Sequence, residues 1–222
     1  MRAHWGYNKR MRKGDEKRLD DDNSTNGDDI PIKIPFVMSK SSNTYISTNF
    51  NHIYFNNDIN PDSVFELNKE LRNIDNNISI TVSTMNIDRP PIYLHLTTDG
   101  GVIYSAFSVI DCMNSLKSEV YTVVDGFVAS AGTLISVNGA KRYMRENAYM
   151  LIHELRTGIW GKMTEIDEEY INTKRMMKHL IKIYENKTKL KKKELEGILK
   201  KDMIWDIDEC KKMGLVDDIY KN

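Results

Sequence analysis

Four short phrases in the chain carry residues whose types and settings could do chemistry. The first is GFVASAGTL, which sets Ser130 among Gly126, Ala129, Ala131 and Gly132, directly after a β-branched run. A serine at a strand-to-helix junction has free backbone N–H groups beside it that can stabilise a developing oxyanion, and small neighbours let a substrate backbone approach. Small residues and Ser also suit an ordinary helix start. The second phrase is LHLTTDGGV, in which Gly100 and Gly101 end a strand; without Cβ atoms, their N–H groups can turn toward a neighbouring site, although Asp-Gly-Gly is equally at home in a plain tight turn.

The third is AYMLIHEL, which brings His153 to the end of a strand pattern, where an imidazole could take a serine proton and return it. Alone, such a residue is a half-buried strand-end histidine. The fourth is KKDMIWDIDE, in which Asp202 precedes three apolar residues and could fix a histidine tautomer or simply cap a helix. Asp206 and Asp208 are its rivals, and both fit the acidic start of a closing helix. Among the other histidines, His95 lies inside the apolar strand IYLHL and reads as a satisfied core residue. His4 falls in a polar terminus, His52 precedes a strand and His179 belongs to a charged helix. No pair of histidines has ligand spacing with a third donor, so a metal site is not expected.

These phrases need elements to position them. NHIYF alternates like a strand, and Asp62 is placed to cap a helix through SVFELNKELRNI, with Val64, Leu67 and Leu71 on one face. Pro90 and Pro91 introduce the strand IYLHL, which leads through the glycines to the helix VIYSAFSVIDCMNSLK. The strand EVYTVVDG, the small-residue helix ASAGTLISVNG and two short strands within KRYMRENAYMLIH follow. Strands alternating with helices at this spacing predict an α/β fold with a mainly parallel sheet. From residue 163 to about 186 one long helical pattern runs among many charges, longer than such a unit needs. A shorter helix, KKKELEGILK, then a closing helix, DIDECKKMG, and a last strand in LVDDIY complete the reading.

The whole-chain properties narrow the class. With 222 residues and 40% hydrophobic content, the chain can bury one sizeable core, and Lys plus Arg balance Asp plus Glu at 32 each. Neither nucleic acid nor an anionic membrane is an expected partner. Residues 1–30 are polar and contain an aspartate run, so a flexible charged arm is expected there, with the folded domain over 31–222. No stretch resembles a secretory signal or a membrane span, and Cys112 and Cys210 suggest buried thiols in a reducing, cytoplasmic setting.

In their order along the chain, the phrases resemble those of the proteolytic subunit of the ATP-dependent Clp protease over roughly residues 50 to 220. The likeness is carried by DGG at Asp99 to Gly101, GFVAS at Gly126 to Ser130, LIH at Leu151 to His153, Asp202, and GLVD at Gly214 to Asp217. It implies a fold of the ClpP and crotonase kind, with repeated β-β-α units and a protruding handle helix over about 160–186. It further implies Ser130, His153 and Asp202 as a triad, with the N–H groups of Gly101 and Ala131 as oxyanion hole. The activity implied is hydrolysis of unfolded proteins without a cofactor, inside stacked heptameric rings of this chain. Such rings would be fed by a separate AAA+ unfoldase that uses ATP, since the chain has no G-x-x-x-x-G-K-[ST] loop. A noncatalytic ring subunit and a viral capsid-maturation peptidase share the fold and stay open, as does, more remotely, an acyl-thioester hydratase of the crotonase architecture. The sequence departs from the family wording in three places: TTDGG has no proline before the glycines, Glu154-Leu155 stand for Gln-Pro, and MIWDIDECKKMG lacks the usual Arg-Phe and Ser-Ala-x-Glu-Ala. Asp202 therefore rests on spacing more than on its neighbours.

Overall fold

The computed structural model describes residues 45–221. The arm expected over residues 1–30, and the extended segment expected from Ile30, lie outside the described residues. The first described elements are a hairpin, β1 (Tyr45–Asn49) and β2 (His52–Asn56), paired antiparallel. Helix α1 (Pro61–Met85) follows. Its cap is Asn60 rather than the expected Asp62. The Asn60 side chain accepts from the Ser63 N–H at 2.9 Å, and the Ser63 hydroxyl accepts from the Asn60 N–H at 3.1 Å. Pro61 supplies a fixed φ at the first helical position, which places Asp62 one residue inside the helix. The helix also runs past the expected end at Ile74, because Ile78 extends the buried stripe; beyond it, Ser79, Thr81, Ser83 and Thr84 turn their hydroxyls back to carbonyls one turn earlier.

Three parallel strands and two helices then build the centre: β3 (Ile92–Thr98), α2 (Ile103–Ser115), β4 (Val120–Ala129), α3 (Ala131–Val137) and β5 (Lys141–Met144). The main sheet runs in the order β1-β2-β3-β4-β5-β8, with β8 (Asp218–Ile219) parallel to β5. A second path leaves β4, whose last residues pair with β6 (Tyr149–Leu151), and β6 pairs antiparallel with the two-residue β7 (Ile204–Trp205). β4 can serve two neighbours because it is long: Tyr121 to Val124 face β5, and Phe127 to Ala129 face β6. The remaining helices are α4 (Met163–Lys187), α5 (Lys192–Ile198) and α6 (Ile207–Met213). Among the described residues the architecture is the expected α/β one, a mostly parallel mixed sheet with six helices.

The core is aliphatic. Ile53, Phe55, Leu94, Leu96, Val124 and Val128 from the strands pack with Leu67 and Leu71 of α1, Ala106 and Val109 of α2, and Leu134 and Ile135 of α3. Each fully buried aliphatic side chain contributes on the order of 1.5–3 kcal/mol by leaving water. α4 joins this core only near its C-terminal end, through Leu180, Ile181 and Tyr184, while its first half is mainly exposed. The long helical pattern of the sequence is thus one rod with a buried foot. Both cysteines are buried thiols; burial raises Cys112 and pushes Cys210 up to about 12.

Candidate active site

The site forms where β3, β4 and β6 end together. Val128 and Ala129 are buried, and β4 then turns sharply at Ser130, which adopts φ 54 and ψ −125 before α3 begins at Ala131. A non-glycine residue at positive φ is uncommon, and it persists where its surroundings over-determine it. Here they do. The Ser130 N–H donates to the Leu151 carbonyl at 2.9 Å, extending the β4–β6 ladder by one step. The Ser130 carbonyl accepts from the Thr133 N–H at 3.0 Å and from the Thr133 hydroxyl at 2.6 Å.

The glycine turn closes over this serine from β3. Gly100 and Gly101 have φ of 101 and 140, which L side chains rarely adopt. A Cβ on Gly100 would lie 2.6 Å from the Ser130 Cβ, and one on Gly101 would lie 2.2 Å from the Ile59 carbonyl oxygen. The turn is pinned by Ile59, whose N–H donates to the Gly100 carbonyl and whose carbonyl accepts from the Val102 N–H, each at 2.7 Å. Gly132 makes the same kind of room on α3, since a Cβ there would meet the Thr98 methyl at 2.4 Å. The sequence needs its small residues here because main chain packs directly on neighbouring main chain at Gly101 and on neighbouring side chains at Gly100 and Gly132.

Ser130 and His153 line one cleft of about 260 Å³ with Asp99, Gly101, Ala131, Glu154 and Arg156, over an apolar floor that includes Ile103, Leu134, Leu155 and Leu180. His153 reaches it because β6, bonded to the serine turn at Leu151, ends two residues earlier. Its Nδ1 lies 2.6 Å from the Glu154 carbonyl oxygen. A carbonyl can only accept, so Nδ1 carries the proton and Nε2 is left as the basic nitrogen.

Of the residues predicted for the site, the structure brings Ser130, His153, Gly101 and Ala131 to one cleft; Asp202 is not among the residues that line it and is linked to it through Arg156, which is. Asp202 lies in the turn between α5 and β7, where its Oδ2 accepts from Arg156 Nη2. Its rivals have other work: Asp206 caps α6 by accepting from the Glu209 N–H at 2.9 Å, and Asp208 lies in that helix's first turn. The expected bland reading of His95 matches its setting. It is 1% exposed, with Nδ1 3.0 Å from an Asp125 carboxylate oxygen and Nε2 3.0 Å from His52 Nδ1. Burial pushes Asp125 up, but His95 and Arg145 outweigh it and hold the carboxyl below its usual range.

Two residues of the site were not singled out by sequence reasoning. The Thr133 hydroxyl that donates to the Ser130 carbonyl also lies 2.6 Å from the phenol of Tyr184, at the buried foot of α4. Burial raises the Tyr184 phenol far above its ordinary range, so it stays neutral despite the opposing effect of Thr133. A threonine three residues after a candidate nucleophile was a local signal that could have been read; the tyrosine lies 51 residues further on and gave none. Among the described residues, no group of three or more His, Cys, Asp or Glu could hold a metal ion, and no helix is long and apolar enough to cross a membrane.

With this geometry in hand, comparison with known proteins is informative. A sequence profile of the family described as Clp protease matches residues 64–222. An ATP-dependent Clp protease proteolytic subunit of Streptococcus mutans is 33% identical over 138 residues, 59% of this chain and 69% of that protein. One from Streptococcus gordonii is 30% identical over the same shares. Among solved structures, a point mutant of ClpP1 from Listeria monocytogenes superposes with a TM-score of 0.67, covering 78% of this chain and 92% of that one at 22% identity. That last likeness is one of fold. The chain belongs to the Clp protease family, a family of peptidases. Its α/β architecture is the ClpP one.

Proposed function

We propose that the chain is a serine endopeptidase that cleaves unfolded proteins, with Ser130 as nucleophile, His153 as general base and Asp202 as the residue that orients the histidine during turnover. The observation that carries the reading is the shared cleft of Ser130, His153 and the glycine turn, built on strand ends that are hydrogen-bonded to one another. In the reaction, Ser130 Oγ attacks the scissile carbonyl carbon while His153 Nε2 takes its proton. The N–H groups of Gly101 and Ala131 receive the oxyanion; each such donor is worth about 10²–10³ in rate. The tetrahedral species collapses as His153 returns the proton to the leaving amine. Water, deprotonated by the same nitrogen, then releases the acyl product and regenerates the serine. No cofactor takes part.

The Glu154 carbonyl fixes the histidine tautomer but carries no full charge to stabilise an imidazolium. A carboxylate does both, so turnover calls for Asp202 to leave Arg156 and engage Nδ1. The substrate is a polypeptide delivered from outside, and assembly of this chain into stacked rings would supply the chamber. Such assembly would give cover to exposed apolar side chains, among them Phe65 and Ile80 on α1, Tyr104 on α2, and Tyr170 and Ile171 on α4. The words ATP-dependent and subunit belong to the relatives' names; applied here, they mean a separate unfoldase that consumes ATP.

A second reading, a noncatalytic ring subunit, draws on one observation, the pairing of Asp202 with Arg156 rather than with His153. Labelling with a fluorophosphonate serine probe separates the two. The peptidase reading expects an adduct on Ser130 that is lost in Ser130→Ala and weakened in His153→Ala. A folded, assembled protein that takes up no probe would count against this reading and for the second, or for a peptidase that activates only with its partner.

A further inference from the structure

We propose that Arg156 is a positioning residue that holds the site at rest by occupying Asp202, and that Glu169 is its alternative partner when the site engages. The inference rests on the peptidase reading above and adds a control to it. Arg156 is three residues beyond the candidate base, on a segment tied down immediately before it. The Glu154 N–H donates to the Leu199 carbonyl at 2.8 Å, and the Leu155 N–H meets the Met177 sulfur at 3.2 Å. The backbone is therefore held while the guanidinium is free to swing, its side chain being 70% exposed. In the structure that guanidinium crosses to Asp202, itself 55% exposed, and His153 takes its own neighbour's carbonyl instead.

The arginine also has a second place to go. It forms a wall between the Ser130 cleft and an adjoining cleft of about 250 Å³, which is lined on its far side by Glu169, Asn172, Thr173 and Met176 of α4. Glu169 is the carboxylate of that cleft. Moving Arg156 from Asp202 toward Glu169 exchanges one exposed ion pair for another and frees an acceptor for His153 Nδ1. Exposed pairs bias an equilibrium by at most about fivefold and are screened by salt, so the two arrangements lie close in free energy and respond to ionic strength.

The test is the rate of fluorophosphonate labelling of Ser130 in the full-length protein between low and high salt. Arg156→Gln should label about two- to fivefold faster than the parent at low salt, with the difference closing at high salt. Arg156→Lys keeps the charge and should stay near the parent. Glu169→Gln removes the alternative partner and should label more slowly at low salt, and Asp202→Asn should be slow at every salt concentration. If Ser130 labels in the parent but Arg156→Gln is no faster at any salt concentration, the control is overturned and the peptidase reading stands. If Ser130 labels in none of these proteins, both fall together.

Discussion

The two halves of the candidate site are built in different ways. The nucleophile half is backbone against backbone: Ser130 at positive φ, Gly100 and Gly101 folded over it, Ile59 pinning the turn, and Gly132 letting α3 approach Thr98. The orienting half is made of side chains at the surface, with Asp202 and Arg156 paired and both more than half exposed. The contrast teaches where such a site can move. Positions fixed by chain geometry change only if the fold does, whereas an exposed ion pair is worth about 0–1 kcal/mol and can be exchanged.

The sharpest test of that division is chemical. Ser130→Ala should lower peptide hydrolysis by about 10³-fold or more with the fold intact, measured on a fluorogenic peptide beside circular dichroism. Next comes Gly101→Ala, whose Cβ would enter the Ile59 carbonyl at a φ of 140; we expect about 3 kcal/mol of lost stability in urea denaturation. Asp202→Asn, in the mobile half, should stay within about 0.5 kcal/mol. Equal losses at the two positions would erase the distinction drawn here.

Asp75 offers a pH-dependent version of the same comparison. It accepts from the N–H groups of Ser118 at 2.8 Å and Lys117 at 3.2 Å, with Arg89 at 3.6 Å, and so anchors the approach to β4. Burial pushes its carboxyl up, but the Ser118 hydroxyl, these N–H donors and Arg89 outweigh burial and hold it below the usual value. A carboxylate depressed in the folded state stabilises the protein above its unfolded pKa of about 3.9, and the contribution fades as pH falls through the folded value. Asp75→Asn should cost about 1–3 kcal/mol at pH 7 and progressively less in acid, visible as convergence of the two melting curves. A smaller effect than that at Asp75 belongs to Tyr184→Phe, which removes the phenol from Thr133 and should cost about 1 kcal/mol; a loss below a few tenths would show the hydroxyl pair to be incidental.

Much of this was legible in the sequence for physical reasons. Alternating and β-branched runs marked β2 to β6 because half-buried strands require them, and the small residues around Ser130 and at Gly100–Gly101 announced a place where main chains approach closely. The hairpin strand β1 and the two-residue β7 were missed, since each exists through its partner: β7 is defined by Met150↔Trp205 and Leu151↔Ile204 alone. Asn60 and Asp62 offered equally good capping chemistry, and only Pro61 between them could have decided. The partner of Asp202 was beyond reach. An exposed carboxylate chooses between an arginine and a histidine three residues apart by tertiary distance, and periodicity has nothing to say about that.

The hydroxyl pair of Thr133 and Tyr184 gives α4 a mechanical character. The helix is a rod of 25 residues whose outer part stands in solvent while its inner end touches, through one threonine, the carbonyl of the candidate nucleophile. A load applied far out along such a rod arrives at its base as torque, and it passes the Leu155 N–H at Met177 before it meets the hydroxyl pair that holds Ser130 in its turn.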